Sequence, residues 1–101
     1  MAKMTGVSGI ISAAHYSRDG KLHGHTWQVV VWYHAAKFGT FDAEIKKRLL
    51  SKYLARFDHN VIDDQYAWGE DLAEKIGIDL RAVAVDVSRP LEGIFAKWVR
   101  E

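Results

Sequence analysis

Two long stretches rich in β-branched and aromatic residues, 5–16 (TGVSGIISAAHY) and 22–34 (LHGHTWQVVVWYH), flank a short polar segment that contains Asp19-Gly20. Such side chains suit the pleated strand, and Asp-Gly between two strand-like runs is a hairpin signal. The pair predicts an antiparallel hairpin. A lone hairpin is barely stable in water, so its apolar face must be covered by the rest of the chain. That requirement constrains the fold more than any other feature.

The remaining residues read as the cover. After a break at Lys37–Thr40, Ile45, Leu49 and Tyr53 recur at four-residue steps, flanked by Leu50, Leu54 and Phe57. This spacing predicts an amphipathic helix over 41–57, N-capped by Thr40, with Asp42 and Glu44 at the positive end of its dipole. Residues 58–67 read as a loop. Residues 69–76 read as a second helix with Gly77 as its C-cap. Residues 79–88 alternate as a third strand does, Arg89-Pro90 interrupts it, and 91–99 form a fourth. The order ββααββ predicts an α+β domain: a four-stranded antiparallel sheet with both helices on one face.

With 101 residues, 49% of them hydrophobic and four of them Trp, the chain is expected to be one packed domain. The surplus of tryptophan and the open sheet edges suggest that partner copies cover part of the surface. A net charge of +1 without a one-sided basic run argues against a nucleic-acid partner. The absence of cysteine excludes disulfides, thiolate metal sites and a cysteine nucleophile. No stretch is long enough to span a membrane, and the first residues lack the apolar core of a signal peptide, so a cytoplasmic protein is expected.

The hairpin carries three of the five histidines. His23 and His25 are two apart, so both project from one face of their strand, and His15 lies across the turn from them. Opposed or diagonal positions in an antiparallel pair bring Cβ atoms to about 5–8 Å. Three neutral imidazoles at that spacing can converge on one ion about 2 Å from each nitrogen. An all-nitrogen triad with an open fourth position is the pattern of catalytic zinc.

The succession of AAH at 13–15, HGH at 23–25, a strand, a helix and then FDHNVID at 57–63 resembles the 6-pyruvoyl-tetrahydropterin synthase family, over about Ile11 to Val87. That family includes the 6-carboxytetrahydropterin synthases of the queuosine pathway. The resemblance implies a tunnelling fold whose units join edge to edge into a β-barrel, as trimers that stack into hexamers. It implies zinc held by His15, His23 and His25, and a lyase acting on 7,8-dihydroneopterin triphosphate or a close relative. Asp58 and His59 match its acid–base pair.

Three positions depart from the family pattern. The usual cysteine base is missing, and Asp19 stands four residues before HGH, as a candidate carboxylate base or simply as part of the turn. The ring-anchoring glutamate near the end of the third strand is replaced by Val87, which leaves Asp86, if the strand is bulged, or Glu92 as substitutes. Ala67-Trp68-Gly69-Glu70 replaces a Thr/Ser-containing segment, so Trp68 is expected either to stack on a flat heterocycle or to fill an interface. These departures leave three outcomes open: a synthase of the carboxy or pyruvoyl type, a side-chain-cleaving variant giving 6-hydroxymethyl-dihydropterin, or a zinc-containing pterin or purine binder without catalysis. A purely structural zinc oligomer is a further, weaker reading.

Overall fold

The computed structural model describes residues 3–17, 19–35 and 42–101, except for the side chain of Asp64. Strands β1 (Met4–Tyr16) and β2 (Leu22–His34) form the expected hairpin, with His15 directly opposite His23 and Ala13 opposite His25. The chain reverses between Ser17 and Lys21, where Gly20 takes a φ of 79°. Helices α1 (Ala43–Leu54) and α2 (Gly69–Leu80) follow, then β3 (Ala84–Arg89) and β4 (Ile94–Val99). The sheet order is β1-β2-β3-β4, antiparallel throughout. The predicted ββααββ architecture is therefore the observed one.

Alternation assigns the two faces of the sheet. Val7, Ile11 and Ala13 of β1, Trp27, Val29 and Val31 of β2, and Val85 and Val87 of β3 are buried in one core with Leu50, Tyr53 and Leu54 of α1 and Leu72, Ala73 and Ile76 of α2. Each fully buried aliphatic side chain contributes about 1.5–3 kcal/mol, more than the net worth of a typical hydrogen bond. The helix-covered face thus supplies most of the stability. The opposite face stays open and carries exposed apolar side chains, among them Ile10 and Phe95.

Several boundaries differ from the sequence expectation. Asp42, not Thr40, caps α1: its carboxylate accepts from the backbone N–H of Glu44 (2.9 Å) and Ile45 (3.1 Å). Thr40, the start at Phe41 and the break at 37–40 lie outside the described residues. Ile45 and Leu49 are about half exposed, because the buried stripe of α1 is centred on Leu50, Tyr53 and Leu54. Gly77 is not a C-cap. The helix runs through it to Leu80 and ends at Arg81, which takes the left-handed conformation at φ 56°. Asp79, expected in the third strand, closes the last helical turn through the Tyr53 hydroxyl (2.5 Å) and Lys75 (2.9 Å). Residues 90–92 form a short 3-10 turn rather than the start of β4.

Gly77 has a packing role instead. A Cβ there would overlap the indole of Trp98 on β4. An alanine gains about 1 kcal/mol of helix propensity but forces overpacking that costs about 1–3 kcal/mol. Gly77→Ala is therefore expected to lower the urea unfolding midpoint, with an unchanged m-value, since only the fit of α2 on β4 is disturbed.

Candidate metal centre

The three histidines end on the helix-covered face of the sheet at the hairpin end. His15 is buried, while His23 and His25 open toward solvent. Their ring centroids stand 4.6 Å (His15–His23), 5.0 Å (His15–His25) and 4.7 Å (His23–His25) apart. One nitrogen from each lies within 4.8 Å of the others; among the described residues this is the group of three or more His, Asp or Glu side chains placed to share an ion. Ligand nitrogens around a tetrahedral ion are roughly 3.3 Å apart, given bonds of about 2 Å. The rings need only modest rotation to reach that. The donors are all imidazoles, which suit zinc better than calcium or magnesium. Burial, and then the positive charge of Arg89, push the pKa of His25 down, which favours the neutral form a metal requires. The residues present therefore fit the expected ion.

A cavity of about 300 Å³ opens over the cluster. Trp27 forms one wall, edge-on to His15 at 5.7 Å and to His25 at 5.3 Å. Trp68 forms another, 5.6 Å from His15. It is brought there by the start of α2, where Gly69 packs so closely on β4 that a Cβ would lie 3.0 Å from that of Ala96. Glu70, Val87, Ser88, Arg89, Ile94, Phe95 and Ala96 complete the lining. Trp68 thus lines the cavity over the histidines.

The other predicted residues are distributed differently. Asp58 and His59 form a bonded pair, with Asp58 Oδ2 2.9 Å from His59 Nδ1, while Asp58 Oδ1 accepts from the backbone N–H of Ser12 at 2.8 Å. The Ser12 N–H, chiefly, holds the Asp58 pKa below its ordinary value; desolvation opposes it, and His59 adds a lesser downward push. The pair sits on the outer edge of β1, where His59 N–H donates to Ser12 and residue 61 makes a parallel bridge to Ala14. His59 does not line the histidine cavity. It shares a shallower concavity on the open face with His25.

Asp19 stays in the turn. Its carboxylate accepts from the Ser17 hydroxyl and from the Lys21 backbone N–H (3.2 Å), and these bonds lower its pKa. A lowered pKa makes it a weaker base, and it is not among the cavity-lining residues. Asp86 is also apart from the cavity. The β2–β3–β4 register runs regularly through it, so it projects from the open face, bonded to Trp32 Nε1 (2.7 Å) and near Lys97 Nζ (3.6 Å). The bulge that would have turned it inward does not form, because each residue from 84 to 88 keeps its partner on β2. Glu92 lies 3.4 Å from Arg89 Nη1, beside a groove on the far side of His25.

Trp27 and Arg89 are among the lining residues not picked out from the sequence. Trp27 was legible there, since it continues the period of His23 and His25 on one strand face. Arg89, read only as a strand breaker, lies with Nη1 2.8 Å from His25 Nδ1 and 3.1 Å from Nε2. Its position depends on the pairing of Val29 with Val87, which carries the end of β3 to the histidine end of β2.

Among curated proteins none is similar enough to this chain to count as a match. The family model for 6-pyruvoyl tetrahydropterin synthase matches residues 8–89. The chain belongs to this family. The match takes in His15, His23 and His25, the Asp58–His59 pair and both helices. The family is one of pterin-metabolising lyases, and its members are typically zinc-dependent and oligomeric. No helix among the described residues is long and apolar enough to cross a membrane.

Two measurements check the centre. His15→Ala and His23→Ala are each expected to abolish stoichiometric metal binding, read by elemental analysis of purified chain, since two imidazoles do not complete a closed set. Asp58 contributes stability that is fully present above the ordinary carboxylate range and lost as pH falls through its lower folded pKa. Asp58→Asn, which keeps an acceptor for Ser12, is therefore expected to flatten the acid limb of the Tm-against-pH curve below about pH 4.

Proposed function

We propose that the chain is a zinc-dependent pterin enzyme acting on 7,8-dihydroneopterin triphosphate or a close relative, of the 6-carboxytetrahydropterin or 6-pyruvoyl-tetrahydropterin synthase type. The observation that carries this reading is the three-histidine cluster within a chain of this family. His15, His23 and His25 hold the ion. When bound, zinc supplies Lewis acidity toward the side-chain hydroxyls of the substrate. Trp27 and Trp68 offer flat apolar walls for a heterocycle and exclude water from it. His59 takes and returns a proton at Nε2, while Asp58 holds Nδ1 and stabilises the protonated ring.

The backbone of His59 supports its role. It sits at φ 60°, a conformation that costs a residue with a Cβ about 1 kcal/mol, and its side chain is 82% exposed. Neither packing nor burial explains a histidine there, whereas a positioned proton carrier does. In the oligomer proposed here, the two free edges of the sheet pair, and copies join β1 to β4. The cavity reaches the β4 edge through Ile94, Phe95 and Ala96, and His59 lies at the β1 edge near the same end. Closure of those edges carries His59 of one copy toward the cavity of the next, and a barrel of trimers stacked as hexamers follows from repeating it.

A second reading, ligand binding without turnover, is favoured by the lack of cysteine and by the commitment of Asp19 to its turn. Incubation of zinc-loaded protein with dihydroneopterin triphosphate, followed by mass analysis, separates the outcomes. Release of triphosphate and acetaldehyde marks the carboxy branch, glycolaldehyde marks side-chain cleavage, and binding without products marks sequestration. Absence of binding overturns the pterin assignment. His59→Gly is expected to abolish turnover while leaving stability equal to the parent or higher by up to about 1 kcal/mol, because glycine relieves the left-handed backbone.

A further inference from the structure

Among the described residues, Arg89 is the strongly basic side chain lining the histidine cavity. It is largely buried, at 22% exposure, with Nη1 within hydrogen-bonding distance of both ring nitrogens of His25. A guanidinium has five N–H donors, no acceptor, and keeps its charge at any working pH. Beside His25 it therefore stands where it can donate to the lone pair of whichever ring nitrogen is unprotonated. Once an ion takes that lone pair, the guanidinium donors need another acceptor, and its charge faces a dication a few ångströms away. Glu92, at 3.4 Å and 53% exposed, pairs with it from outside the cavity, and Glu70 is the acid among the described lining residues. Even with both counted, positive charge exceeds negative by one. A concave, partly buried site with such an excess is completed by an anion.

We propose that Arg89 is the oxyanion anchor of this cavity and holds a carboxylate or phosphate group of the ligand beside the three histidines. The fork of a guanidinium pairs two oxygens of either group at once, which sets orientation as well as charge. Ser88, buried next to it, and the Trp27 wall shield the pair from water. The end of β3 thus selects ligands that present an acceptor-rich anionic group there, and disfavours ligands that present donors. Glu92 steadies Arg89 from the far side, which makes it a positioning residue rather than a ligand contact. The proposal rests on the metal-centre reading for its charge balance, but not on the identity of the heterocycle.

The test is calorimetric titration of zinc-loaded and zinc-free protein with inorganic phosphate and, separately, with acetate, after the metal content of each sample has been measured. Phosphate and acetate distinguish the two possible sources of the oxyanion. In the zinc-loaded parent, one of them is expected to bind at one per chain. Arg89→Gln is expected to weaken that binding roughly tenfold or more, and Arg89→Lys by less, since lysine keeps the charge but loses the fork. Zinc stoichiometry is expected to be unchanged in both. If Arg89→Gln binds the anion as tightly as the parent, the proposal is overturned. It is equally overturned if Arg89→Gln loses zinc, because Arg89 would then be a structural support of His25. If the parent takes up no zinc yet binds the anion through Arg89, the anchor stands and the metal-centre reading fails.

Discussion

The site depends on one register. His15 faces His23 across the β1–β2 pair, and His25 stands diagonal to it. A shift of one residue in either strand would send an imidazole to the opposite face of the sheet. Nothing at the histidine end is strong enough to hold that register by itself, because the turn from Ser17 to Lys21 is exposed and polar. The register is held lower down, where Ile11 with Trp27, Gly9 with Val29 and Val7 with Val31 pair on the face beneath the helices. Slippage there would expose most of the core, at a cost of several side chains' burial. The histidines are thus positioned by hydrophobic packing they do not take part in.

The same packing joins the remaining parts of the site. Gly69 and Gly77 let α2 lie close on β4, and this seats Trp68 over His15. The loop after α1 is tied to β1 by Asp58 and by backbone bonds from His59 to Ser12 and from Ile62 to Ala14. The carboxylate that orients His59 therefore also fastens the loop to the sheet. The centre combines a buried, rigid end at His15 with an open end at His23, the arrangement needed for a ligand to enter while the donor set stays ordered.

Much of the fold was legible because its signals are local. The hairpin showed in β-branched runs around Asp-Gly, α1 in its four-residue spacing, and the antiparallel sheet in the order of the elements. The misreadings were also local in origin. Gly77 looked like a helix end because glycine usually is one, and only the Trp98 ring explains its place inside a helix. Ile45 and Leu49 shared a period with Tyr53, but the helix turned a neighbouring stripe to the core. The histidine triad and the Asp58–His59 pair could be named from spacing and resemblance, whereas the contact of Arg89 with His25 could not.

The sequence by itself determined the element types, the face of β2 shared by His23, His25 and Trp27, and the absence of any thiol. Each follows from the geometry of a single strand or helix, or from the composition alone. Only the tertiary structure decided that Asp86 turns away, that Asp19 serves its turn, and that Arg89 meets His25. Those outcomes depend on which strand pairs with which and in what register. Such pairing joins residues as far apart as 25 and 89, and no local periodicity encodes it.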